Sequence, residues 1–145
     1  MTALAFSDAE FRAIARIMYD AAGLSFNESK KSLIHSRLAL RIQRLGLTSF
    51  AQYIDILQDE SEAAEFQMAV DLLTTNETYF FREPKHYELL EQELARMGSL
   101  VPISVWSAAS SFGDEAYSTA MLMADLQLIG KIGPSWSILA TDISH

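Results

Sequence analysis

The sequence predicts an α + α/β protein, with a helical domain over residues 1–75, a linking loop and helix over 76–98, and the first βαβ unit of a parallel α/β domain over 99–145. Apolar residues recur at helical spacing from Phe11 to Leu73, punctuated by capping residues and glycines. After Gly98 the pattern changes to strand, helix, strand. Between these regions, Leu73–His86 crowds Thr-Thr-Asn-Glu-Thr, a paired Phe and an Arg into a segment that core packing alone does not call for.

Ser7 and Glu10 form a capping box, Phe6 and Phe11 can staple it, and Gly23 stops the first helix. A second helix is expected from about Glu28 to Leu45, ended by Gly46. Thr48 or Ser49 caps a third, which carries Phe50, Tyr53, Ile54 and Leu57, and a fourth runs from about Glu62 to Leu73. Pro84 belongs at the first position of a fifth helix that continues to about Met97. Val101–Ser107 reads as a strand with Pro102 at its start, where no ladder bond is lost. Gly113-Asp114-Glu115 opens a helix to about Ile129, and Trp136–Thr141 is the second strand. Two parallel strands with one crossover helix leave a face and edges open, so the α/β part is expected to be unfinished: either the chain is a fragment or a partner completes the sheet, including by strand exchange between two copies.

Half of the 145 residues are hydrophobic, so a packed core is expected. There is no cysteine, no signal peptide and no apolar run long enough for a bilayer, which points to a cytoplasmic protein without membrane insertion or a thiolate metal site. A net charge of -8 argues against nucleic acid as a partner. Residues 29–54 nevertheless contain no acid, while Lys30, Lys31, Arg37, Arg41 and Arg44 lie there. At 100° per residue, Lys30, Arg37, Arg41 and Arg44 fall in one stripe of a helix.

In a βαβ unit, ligands bind beyond the strand ends, here at Ser107–Glu115. The dinucleotide fingerprint is absent, since only Gly113 is present. Asp114 and Glu115 at a helix N-terminus repel a pyrophosphate and attract an ammonium group, and Asp142 at the second strand's end can accept ribose hydroxyls. A positively charged ribose ligand without phosphate fits, and S-adenosylmethionine is one such molecule. Each acid also has a bland reading: Asp114 and Glu115 favour the helix dipole, and Asp142 suits a turn.

Three ordered motifs carry a family resemblance. Leu72–Glu83 resembles T-x-N-x-T-x-F-F-R-E, Trp106–Ser118 resembles W-S-A-A-C-S-x-G-E-E-P-Y-S, and Ala140–Ser144 resembles A-T-D-I-S, all of the chemotaxis receptor glutamate methyltransferases, the CheR family. Ser110, Phe112, Asp114 and Ala116 depart from the second motif. The resemblance implies a Rossmann-like, S-adenosylmethionine-dependent methyltransferase domain, with S-adenosylhomocysteine as product. It implies that Asn76, Thr78, Arg82 and Glu115 face the cofactor, Glu115 near the methionine amino group, and Asp142 its ribose. Arg82 is also the candidate catalytic residue, orienting the acceptor carboxylate by a charge-assisted hydrogen bond. The partner so implied is the acidic helical methylation region of membrane chemotaxis receptors, and Lys30, Arg37, Arg41 and Arg44 become its docking surface. The alternative is a non-catalytic module that docks on a receptor or senses the cofactor.

Overall fold

A computed structural model describes residues 4–145. Residues up to Thr75, together with Ile143–His145, form one compact unit, and Asn76–Asp142 form a second. Helix α5 therefore belongs to the second unit, and the last three residues to the first.

The first unit contains α1 (Asp8–Ala22), α2 (Lys31–Arg44), α3 (Phe50–Gln58) and α4 (Ala63–Leu73). Its helix starts follow the sequence closely. Glu10 N–H donates to Ser7 Oγ at 3.2 Å while Glu10 Oε2 accepts from Ser7 N–H at 2.7 Å, the reciprocal capping box. The Phe6 and Phe11 rings meet edge-on at 6.4 Å. Ser49 is the N-cap of α3, accepting from Gln52 N–H. Each helix buries one stripe: Phe11, Ile14 and Met18 of α1, Ile34, Leu38 and Ile42 of α2, Phe50, Tyr53 and Leu57 of α3, and Ala69, Val70 and Leu73 of α4.

One expected boundary moves. Glu28–Lys30 is a 3₁₀ turn, and the α-helix begins at Lys31. No acidic or hydroxyl side chain caps α2, and the tighter turn takes up its start. The 100° projection therefore applies to Arg37, Arg41 and Arg44 but not to Lys30.

A polar network crosses this apolar core. Arg41 donates through Nε to Glu65 Oε1 (3.0 Å) and through Nη2 to Oε2 (2.5 Å), and the Tyr53 hydroxyl donates to Glu65 Oε1 (2.8 Å). Three helices are thus joined at one carboxylate, which is 8% exposed. The Arg41 hydrogen bond holds the Glu65 carboxyl below the usual range. Burial and the adjacent carboxylate push the Tyr53 phenol up.

The second unit contains α5 (Pro84–Met97), β1 (Ile103–Ala108), α6 (Asp114–Leu128) and β2 (Trp136–Thr141). The strands pair in parallel, with Ile103 opposite Trp136 and Ala108 opposite Thr141. Strand β1 starts two residues later than expected: Pro102 has no N–H, and the first bond to the facing chain is Ile103 N–H to the Ser135 carbonyl at 3.0 Å. Leu94, Ile103, Met123, Leu126 and Ile132 form the core, with Val105 and Ile138 packed against it. The other sheet face is exposed, and its facing pair Trp106 and Leu139 are 68% and 62% accessible. Among the described residues, no helix is long and apolar enough to cross a membrane.

Candidate functional site

Every cofactor-facing residue expected from the sequence lies in the second unit. The loop after Thr75 closes on itself before α5. Arg82 N–H donates to the Tyr79 carbonyl at 3.3 Å, and Arg82 Nη1 donates to the Glu77 carbonyl at 2.7 Å. Phe81 and Glu83 hold left-handed backbone angles, with φ of 53° and 57°. Such angles cost a non-glycine residue about 1–3 kcal/mol and persist where the surroundings impose them.

The β1–α6 turn is also contorted. Ala109 and Ser111 have φ of 58° and 50°, and Gly113, at φ 95°, precedes α6. The turn is fastened at both ends. Ser110 N–H reaches the Thr141 carbonyl at 2.9 Å, and Ser111 N–H donates to Asp142 Oδ2 at 2.7 Å. Ser111 Oγ donates to the Asn76 carbonyl at 3.1 Å. Ser111 thereby brings together two of the expected site residues, Asn76 and Asp142, at the carboxyl ends of the strands.

Arg82 and Glu115 are brought together by a different feature. Both line a cavity of about 140 Å³, shared with His86, Tyr87, Leu90, Trp106, Ser107 and Thr119. Glu115 is in the first turn of α6, where its charge complements the helix dipole. Its Oε1 accepts from Ser107 Oγ at 2.7 Å. Ser107 is only 3% exposed, so this bond also satisfies a buried hydroxyl. Burial pushes the Tyr87 phenol up, with the Ser118 hydroxyl opposing that shift. The cavity thus has a cation on one wall, a carboxylate on another and apolar or aromatic surface between. That arrangement fits the amino-acid end of a ligand, a carboxylate and an ammonium group borne on one carbon. Thr78 is half-buried on the same loop and is not among the residues lining this cavity.

Three serines that place the site were not singled out from the sequence. Ser107 carried a signal: positions 103, 105 and 107 share the inward face of β1, so a polar residue ending that series should be buried with a partner. Ser111 and Ser118 have no comparable signature, because their hydroxyls engage backbone groups distant in sequence, the Asn76 carbonyl and the Phe81 N–H.

The basic residues of the first unit divide into two kinds. Arg37 is half-buried, with Nη1 donating to the Leu72 and Thr74 carbonyls at the end of α4 (3.0 and 3.2 Å). Arg41 is committed to Glu65. Lys30 and Arg44 are exposed. The acid-free run 29–54 did not reveal this, since the acid that engages Arg41 comes from α4.

A helical unit followed by a parallel βαβ unit places the chain among proteins with a Rossmann-like α/β domain. Family comparison extends that assignment. Residues 9–74 match the CheR methyltransferase all-alpha domain, and residues 76–145 match the CheR methyltransferase SAM binding domain. The chain belongs to the CheR methyltransferase family. It is 40% identical over 140 residues to the chemotaxis protein methyltransferase of Escherichia coli strain K12, covering 97% of this chain and 48% of that protein. It is 40% identical over 136 residues to chemotaxis protein methyltransferase 2 of Pseudomonas aeruginosa, covering 92% and 47%. Identity to the chemotaxis protein methyltransferase of Borreliella burgdorferi is 33% over 142 residues, covering 93% and 50%. The chain spans about half the length of these relatives.

Proposed function

We propose that this chain contributes part of the cofactor site and a receptor-facing helical surface to an S-adenosylmethionine-dependent methyltransferase that esterifies glutamate side chains of chemotaxis receptors. The observation that carries this reading is the pairing of Arg82 and Glu115 on one small cavity at the β1–α6 turn. The SAM binding domain match and the names of the relatives support it.

The residues present fit the methyl donor in part. Glu115 would hold its ammonium group, Asp142 the ribose, and Asn76 and Thr78 the loop side of the site, while about 140 Å³ suffices for the amino-acid end alone. When bound, the donor supplies a sulfonium-activated methyl group and leaves as S-adenosylhomocysteine, a neutral thioether. The protein needs no general base, because the acceptor glutamate is already ionised near neutral pH. Its remaining tasks are placement and exclusion of water. Arg82 would orient the acceptor carboxylate through a charge-assisted bond, at the edge of the donor site.

Isothermal calorimetry with S-adenosylhomocysteine tests this reading. Measurable binding by the chain, weakened about tenfold by Arg82→Lys through loss of the planar fork, is the expected result. No binding by this chain, set against binding by a version extended to full family length, marks it as a docking module; no binding by either overturns the cofactor assignment.

For the receptor, the same reading assigns an acidic helical segment to the exposed cations at the two ends of α2, Lys30 just before its start and Arg44 at its last residue. These are the cations to probe. Arg41→Glu would set a second carboxylate beside Glu65 and confound docking with unfolding. Lys30→Glu combined with Arg44→Glu should weaken association with the receptor's acidic helices and flatten its salt dependence. Unchanged binding at low salt would remove docking from this surface.

A further inference from the structure

Ser118 is a fully buried hydroxyl with 0% exposure on the second turn of α6, and no chemistry described above uses it. Its oxygen has three partners, one of them the Tyr87 hydroxyl. It donates to the Asp114 carbonyl one turn back at 2.6 Å, and it accepts the backbone N–H of Phe81 at 2.9 Å. The first bond points the hydroxyl proton into the helix, which leaves the oxygen's two lone pairs for the Phe81 N–H and the Tyr87 hydroxyl.

Phe81 is the residue that most needs such a partner. It sits at φ 53° in the turn closed by Arg82 N–H on the Tyr79 carbonyl, directly before Arg82, and Glu83 two positions on is also left-handed. Strained backbone of this kind persists only where neighbours over-determine it. The Phe81 side chain is 40% exposed and meets Tyr87 edge-on at 5.1 Å, a contact that holds the ring and leaves the peptide orientation open. The hydrogen bond to Ser118 fixes the peptide plane itself.

We infer that Ser118 is a positioning residue for Arg82: its oxygen locks the Phe81 peptide in the left-handed turn and so sets where the Arg82 guanidinium enters the cavity opposite Glu115. The inference rests on the proposed cofactor site and names what holds its cation in place. Tyr87 serves the same turn from the side, since it both contacts Phe81 and lines the cavity.

The experiment pairs two readouts on the chain: amide hydrogen exchange at Phe81, and calorimetric affinity for S-adenosylhomocysteine. Ser118→Ala should speed exchange at Phe81 at least tenfold while the α6 core amides keep their protection. It should also weaken S-adenosylhomocysteine about as much as Arg82→Lys does. Added to Arg82→Lys, it should weaken binding little further, because both changes act through one side chain. Ser118→Thr, which keeps the hydroxyl, should restore Phe81 protection and most of the affinity. Unchanged exchange at Phe81 overturns the inference, as does faster exchange with unaltered affinity. If neither the unsubstituted chain nor its extended version binds S-adenosylhomocysteine, the cofactor reading falls and takes this role with it. If either binds and its Ser118→Ala variant binds equally, the cofactor reading stands and only the role of Ser118 is lost.

Discussion

Glu65→Leu is expected to destabilise the helical unit by about 2 kcal/mol, between the effect of breaking an exposed pair and that of breaking a fully buried one, since the Arg41 side chain is 29% exposed. The loss exceeds that of an ordinary surface salt bridge because the carboxylate serves two donors. Arg41 makes two bonds to it and the Tyr53 hydroxyl a third, and Tyr53 is fully buried. Without Glu65 the buried Tyr53 hydroxyl loses its partner, while the partly exposed Arg41 guanidinium turns to water. Urea unfolding should show a lower midpoint at an unchanged slope. Adding Arg41→Met to Glu65→Leu should recover part of the loss, since an apolar pair of similar size satisfies the site better than half an ion pair. A loss below about 0.5 kcal/mol, typical of exposed pairs, would show the network to be ornamental. The same carboxylate sets an acid limb. Its native proton affinity is held below the ordinary value of 4.5 by the Arg41 hydrogen bond, so its stabilisation is complete above about pH 4.5 and is lost as pH falls through the lowered native value. Glu65→Leu should flatten that limb relative to the parent chain.

Gly133→Ala should cost the second unit about 3 kcal/mol. A methyl at this position would lie 2.3 Å from the Ser99 carbonyl oxygen, inside any tolerable carbon–oxygen contact. Overpacking of this kind forces the backbone to move, at about 1–3 kcal/mol or occasionally more. The obstacle is backbone, so trimming the Ser99 side chain should not relieve it. Gly133 lies between the buried Ile132 and strand β2, so the displacement would reach the β1–β2 pairing. Amide exchange in β1 and β2 should accelerate while that in α1 to α4 stays unchanged. Uniform protection in both units would show that the chain absorbs the methyl locally.

Local rules determined much of the fold, and the sequence displayed them. The Ser7–Glu10 box, the Ser49 cap, the stop at Gly23 and Pro84 at the start of α5 each depend on residues within one turn of one another. The strand–helix–strand order was equally readable, because Ile103, Val105 and Ile138 alternate with exposed neighbours on either side of a helix opened by Gly113. The site was legible as motifs and poorly legible as geometry. Nothing near Arg41 in sequence announces Glu65, 24 residues away. Nothing near Phe81 announces that its N–H will find a serine 37 residues later. The acid-free run around Arg37 and Arg41 read as an open cationic surface, whereas their hydrogen bonds run to α4 and its end. Left-handed angles at Ala109 and Ser111 are likewise imposed by bonds to Thr141, Asp142 and Asn76, a tertiary cause with no local signature.

The last three residues belong with α4: Gln67 donates to the Ile143 carbonyl at 2.9 Å, and His145 N–H donates to Asp71 at 3.0 Å. Asp71 gathers this terminus, taking the Ser144 side chain as well as the His145 N–H, so the helical unit is completed by residues 143–145. Asp71→Ala should free those three residues to rapid amide exchange while the α1–α4 core keeps its protection.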